Sequence, residues 1–141
     1  MLVTPDLLRT FSLFETLGAD DLNYLAQRSQ IERFARRAVI LNAGSQEDRI
    51  CFLFEGRLQG VDFTIDGREV GLYFVDPGDY CGELSVFDSG TQPEYVIALN
   101  SAAIVFVPVE ALREVADRQP VIMAGLGNKL AGRIRQMTLQ R

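Results

Sequence analysis

Histidine is absent from the 141 residues. That removes His-dependent catalytic triads and His-based zinc sites, and it argues against haem ligation. Only two cysteines occur, Cys51 and Cys81. Two thiols are too few for an iron–sulfur cluster or a disulfide framework, and both fall in strand-like runs, so they read as small buried hydrophobes. No apolar run approaches the roughly 18 residues of a membrane span, and the start "MLVTPDLLRT" lacks the basic region and long apolar stretch of a signal peptide. Cytoplasmic residence and no membrane partner are the expectation.

Positive charge is also scarce. Lys and Arg number 14 against 19 Asp and Glu, a net charge of −5. A nucleic-acid-binding surface draws most of its affinity from phosphate neutralisation, and no broad basic face is available. The two basic clusters are "RFARR" at 33–37 and a C-terminal group of Lys129, Arg133, Arg135 and Arg141. The first reads as a solvated strand edge, the second as a helix end complementing its own dipole. With no His, no activated Cys and no convergent carboxylates in a motif, the chain is not expected to be an enzyme, and no metal ligands are assigned.

What remains is a clear order of elements. Residues 1–30 carry Leu7, Leu8, Phe11 and Leu13, then Leu22, Tyr24 and Leu25, at helical spacing, with Asp20 or Asp21 as an N-cap for the second segment. From residue 31 the pattern changes. "IERFA", "AVILN", "ICFLFEG", "RLQGVDFT", "REVGLYFV", "EYVIALN" and "AAIVFVP" are short and rich in Val, Ile, Phe and Tyr. Gly, Asp, Asn and Pro clusters separate them, including "DPGDYCG" and "DSGTQP". In "TIDGRE", Asp66-Gly67 suits a type I′ hairpin turn. Seven or eight strands at this spacing predict a barrel or jelly roll over 31–107.

Helix returns over 109–141, first in "PVEALREVADRQ" and then in a long segment with Pro120 in its first turn. In the long segment Ile122, Met123, Leu126, Leu130, Ile134 and Met137 form a stripe. Gly125, Gly127 and Gly132 weaken this helix by about 1 kcal/mol each relative to Ala, yet permit close approach. The stripe packs on its own roll or on a second copy, and a homodimer through this helix is expected.

The opening "LRTFSLFETLGADDLNYLAQ", the core "LNAGSQEDRICFLFEGRLQG" and the turn "VDPGDYCGELSVFDSG" together resemble the cyclic-nucleotide-binding domain of Crp/Fnr-type transcription regulators, over nearly the whole chain. Gly-Glu-Leu in register with both flanks is the specific signal. The resemblance implies a mainly β fold, a double-stranded β-helix (jelly roll) with N-terminal helices and a long C-terminal dimerisation helix. It also implies a phosphate-binding cassette whose backbone N–H groups face a cyclic phosphate. On that likeness Gly82 gives close approach, Glu83 accepts from a ribose hydroxyl, Leu84 and Phe87 line or support the pocket, and Ser85 adds a donor.

One departure stands out. Where the family places an Arg followed by Ser or Thr, this sequence has Pro93 and Glu94, then Tyr95, with Thr91 and Gln92 the nearby neutral donors. Cyclic AMP or cyclic GMP is therefore disfavoured as a ligand, no cofactor is assigned, and another small-molecule effector is possible. If a cation does reach the site, Arg133 or Arg135 is the first suspect. Glu94 has an escape in turning to solvent. Two functions follow: the ligand-sensing and dimerising half of a regulator, touching DNA only through a helix-turn-helix beyond Arg141, or a stand-alone protein-interaction module with a vestigial pocket.

Overall fold

The computed structural model describes residues 2–139. Two short helical pieces open the chain, α1 (Pro5–Arg9) and α2 (Ala19–Arg28), with a 3-10 turn (Ser12–Phe14) between them. Eight strands follow: β1 (Gln30–Phe34), β2 (Val39–Leu41), β3 (Arg49–Glu55), β4 (Leu58–Phe63), β5 (Glu69–Val75), β6 (Tyr80–Cys81), β7 (Tyr95–Ala98) and β8 (Ala102–Pro108). α3 (Val109–Arg118) and α4 (Pro120–Leu139) close the chain. The strands form two antiparallel four-stranded sheets, ordered β1-β8-β3-β6 and β2-β7-β4-β5. This is the jelly roll expected from the strand runs.

The side-chain alternation of an extended chain explains why β3 and β8 read as unbroken apolar runs. Ile50 and Phe52 of β3, with Val105 and Val107 of β8, join a core shared with α1, α2 and α3. Cys51 and Leu53, with Ile104 and Phe106, face the interior of the roll instead. Both faces of the β3–β8 pair are dry, so both sets of positions must be apolar. Phe52 anchors the helical side, with ring centroids 5.2 Å from Phe11, 4.8 Å from Phe14 and 5.3 Å from Tyr80. Cys51 and Cys81 are fully buried and directly opposite each other on β3 and β6.

Three local details differ from the sequence reading. β6 falls inside "DPGDYCG", a stretch read wholly as a turn; two residues are too few for a period-2 pattern to register. α2 begins at Ala19 with Gly18 at the cap and no side-chain cap, so neither Asp20 nor Asp21 serves there. Asp21 is instead buried against α3, accepting from Arg118 Nη2 at 2.8 Å and Gln119 Nε2 at 3.1 Å. The hairpin at 64–68 is not type I′, because Gly67 has φ +84° while Asp66 stays at negative φ. Gly67 N–H donates to the Thr64 carbonyl and Thr64 N–H to that of Arg68, both at 2.9 Å. This makes a three-residue loop with Gly in the left-handed position.

α4 lies on the roll by one face. Ile122 and Leu126 are fully buried, Gly125 sits against Leu13, and Met137 packs towards the roll interior. Its basic residues do not simply complement a helix end. Lys129 donates to Asp79 at 2.5 Å and Arg133 to Glu83 at 2.5 Å, tying α4 to the strand and turn around β6. Arg141 lies outside the described residues. No helix among them is long and apolar enough to cross a membrane.

Candidate ligand pocket

The strand β6 ends at Cys81 and the chain turns at Gly82, whose φ of +79° is a conformation that L side chains rarely adopt. That reversal puts Glu83 at the head of a single 3-10 turn, Leu84–Val86. Opposite it, "GTQPE" runs into β7 and carries Gln92, Pro93 and Glu94. α4 crosses the gap. Between these three walls lies a cavity of about 210 Å³, lined by Gly82, Glu83, Leu84, Gln92, Pro93 and Glu94 and closed from α4 by Leu130, Arg133, Ile134 and Met137.

Six of the nine residues assigned to the pocket from sequence thus share one cavity. The other three do not line it. Ser85 donates weakly to the Gly82 carbonyl at 3.5 Å and gives its own carbonyl to Arg113 at 2.6 Å, so it serves the turn and α3. Thr91 is exposed. Tyr95 packs edge-on to Phe63, centroids 5.5 Å apart, on the far side of β7. Phe87 is also exposed and lies outside the lining.

Two polar networks occupy the cavity floor. In the first, Arg133 Nη1 donates to Glu83 Oε1 at 2.5 Å and Nη2 to the Tyr80 carbonyl at 2.9 Å. The guanidinium stacks 4.3 Å from the centroid of the Tyr73 ring. Glu83 is 2% exposed and Arg133 9%, so this is a buried ion pair spanning 50 residues of sequence. Burial holds the Glu83 carboxyl above the usual carboxylate range, opposed by the charge of Arg133.

In the second, Glu94 does not turn to solvent. It is 9% exposed, and its Oε2 accepts from the Tyr73 hydroxyl and, at 3.2 Å, from Gln92 Nε2. Burial pushes the Tyr73 hydroxyl far above the ordinary tyrosine range, with Glu94 adding to the effect, so Tyr73 remains a donor. Pro93, with no N–H to give, sits between the two polar anchors Gln92 and Glu94.

Tyr73 was not foreseen, and nothing in the pattern of β5 singles it out. Its ring passes directly over β4 at Gly60, where an added Cβ would lie 2.3 Å from the ring. Gly60→Ala is therefore expected to displace Tyr73 and destabilise the fold by about 1–3 kcal/mol. Urea denaturation checks this; an unchanged midpoint would show that the ring can give way freely. Leu130, Ile134 and Met137 were read as part of a dimer stripe, yet Leu130 and Met137 close the cavity, and Ile134 only borders it while remaining 63% exposed on the outer side of α4. Of the two candidate cations, Arg133 and Arg135, the first lines the cavity, whereas Arg135 is exposed and does not. No group of three or more metal-ligating side chains occurs among the described residues.

The family described as the cyclic nucleotide-binding domain matches residues 31–119, which takes in the roll from β1 through α3. The chain belongs to this family. Its relatives include a CRP-like cAMP-activated global transcriptional regulator of Mycobacterium tuberculosis, 29% identical over 132 residues, covering 93% of this chain and 58% of the relative. The cAMP-activated global transcriptional regulator Vfr of Pseudomonas aeruginosa is 26% identical over 121 residues, covering 83% of this chain and 56% of that protein. This cyclic nucleotide-binding domain thus spans 56–58% of the length of those two curated relatives. Among solved structures, the sensor domain of the transcriptional regulator DNR from Pseudomonas aeruginosa superposes with a TM-score of 0.77 at 24% identity, over 93% of this chain and 88% of that one. That likeness is one of fold.

Proposed function

We propose that this domain is the ligand-sensing and dimerising half of a Crp/Fnr-type transcription regulator, and that its pocket does not hold cyclic AMP or cyclic GMP tightly. The observation that carries the reading is the pair of carboxylates in the cavity. Pro93 stands where the family's clamping Arg is expected, Glu94 turns inward beside it in place of a hydroxyl residue, and Glu83 is already engaged by Arg133. A cyclic phosphate entering this space would meet a carboxylate in place of a guanidinium. The role is one of binding and transmission rather than catalysis, in the cytoplasm, and DNA contact in this reading belongs to a helix-turn-helix following α4.

Transmission runs through α4. Its inner face supplies Arg133 and Met137 to the pocket, while its outer face exposes Val121, Met123 and Ile134 at 46%, 39% and 63%. The single apolar stripe expected of this helix is thereby divided: Leu126 belongs to the domain's own core, and the outward set is Met123, Gly127, Ala131 and Ile134 at spacings of four and three. Small residues in that row let a second helix approach closely, and an uncovered apolar row favours association. A ligand that shifts α4 would change both surfaces at once. Sedimentation equilibrium is expected to show a dimer at micromolar concentration, and Met123→Glu, which lies away from the pocket, should weaken association at least about tenfold by burying a charge in the interface. A wild-type monomer at that concentration would overturn the dimer.

A further inference from the structure

Glu94 poses a problem that the fold alone does not solve. It is nine-tenths buried and lines the cavity, yet it forms no ion pair among the described residues. Its Oε2 takes both side-chain hydrogen bonds, from Tyr73 and Gln92, and no described side chain donates to Oε1. The one guanidinium in the lining is committed to Glu83 and to the Tyr80 carbonyl. The cavity therefore contains two carboxylates against one guanidinium; Gly82 and Gln92 are the other polar or backbone-only parts of its lining, and the rest is apolar, Leu84, Pro93, Leu130, Ile134 and Met137. A buried carboxylate without a cation is costly, and the cost is relieved by whatever brings the missing charge.

We propose that the cavity binds a small organic ammonium ion, its charge and N–H donors against Glu94 and its apolar body against Leu84, Leu130 and Met137. This rests on reading the cavity as the sensory pocket, and it names the class of effector. The volume of about 210 Å³ lies below the roughly 300–1,000 Å³ of common small-molecule sites, which favours a compact ligand over a nucleotide. The chemistry supports the same choice. A phosphate would be repelled by the carboxylate that an ammonium neutralises, and ammonium N–H donors can fill the acceptor capacity left on Glu94. Because Met137, Leu130 and Arg133 all come from α4, occupancy would press directly on the helix that carries the dimer face.

The probes are three small molecules of like shape and different charge: 2-phenylethylammonium, 2-phenylethanol and phenylacetate, titrated into the full chain by calorimetry and checked by saturation-transfer NMR. The ammonium is expected to bind at least about tenfold more tightly than the alcohol, and phenylacetate most weakly, since a charge-assisted hydrogen bond is worth roughly a factor of ten or more. Glu94→Gln keeps the shape and removes the charge. It should bring the ammonium to within about threefold of the alcohol, while the alcohol itself changes less than about twofold. Phenylacetate outranking the ammonium, no binding by any probe, or a preference that survives Glu94→Gln would each overturn the proposal. The ranking of the three probes on the wild-type chain decides the matter even if the variant folds poorly. Micromolar binding of cyclic AMP would instead bring down the reading of the pocket on which this proposal rests, whereas silence from all three probes, with cyclic AMP also unbound, would remove the ammonium alone.

Discussion

Cyclic AMP is expected to bind the wild-type domain no more tightly than about millimolar, and the double variant Pro93→Arg with Glu94→Ser at least about a hundredfold more tightly, a gain of about 2.7 kcal/mol. The magnitude follows from the two exchanges in the pocket. Charge-assisted hydrogen bonds to a phosphate are worth about 1.5–3 kcal/mol each, and they are missing. A carboxylate placed about 5 Å from the phosphate adds repulsion of roughly 3 kcal/mol at an effective dielectric near 20. Because Glu94 is turned inward and held by Tyr73 and Gln92, it cannot avoid that repulsion by rotating to solvent. The double variant removes the carboxylate, restores a guanidinium and a hydroxyl, and leaves the turn at Gly82 and Glu83 in place. Calorimetry with cyclic AMP and cyclic GMP on both proteins is the test. Micromolar binding by the wild type would show that Arg133 leaves Glu83 to serve the phosphate, and would sink the argument from Pro93 and Glu94. A double variant that stays silent would mean that α4 keeps the cavity closed to a nucleotide of any charge.

The second large effect concerns Arg133. Replacing it by Met strands the Glu83 carboxylate at 2% exposure and leaves the Tyr80 carbonyl without its donor. Breaking a buried pair from one side costs about 3–5 kcal/mol, far more than a surface pair, because the remaining charge cannot reach water. With a urea slope near 2 kcal/mol per molar, the midpoint should fall by about 2 M. Adding Glu83→Gln to Arg133→Met should recover at least half of that loss, since no charge is then left uncompensated. The surface pairs give the contrast. Arg33 and Glu55 are 64% and 53% exposed along their side chains, and Arg33→Met should move the midpoint by less than about 0.3 M. Equal effects at the two sites would mean that the Arg133 pair contributes no more than a solvated one.

The domain was legible in the sequence wherever the determining chemistry is local. Strand runs such as "ICFLF" and "AAIVFVP" are apolar at every position because β3 and β8 are covered on both faces, and turn residues mark most of the boundaries between them. Gly-Glu-Leu could be placed because the reversal at Gly82 needs a residue free to take positive φ, and that requirement is carried by the residue itself. The two-residue strand β6 was invisible, since it is defined by its pairing with Cys51 and Phe52 rather than by any pattern of its own.

The site was legible only as a list. The residue types at 82–84 and 92–94 come from the sequence alone, and so do the absence of an Arg at 93 and the presence of a carboxylate at 94. Which way Glu94 points was decided by Tyr73, a residue on another strand whose ring fits over Gly60. Whether Glu83 is free was decided by Arg133, brought from α4 across 50 residues of sequence. Helical periodicity could put Leu126, Leu130 and Ile134 on one stripe but could not divide that stripe between core, pocket lid and open face, because the division depends on the angle at which α4 crosses the roll. Local propensities act over a few residues, whereas burial and charge pairing depend on which distant surfaces meet, and only the folded chain brings those surfaces together.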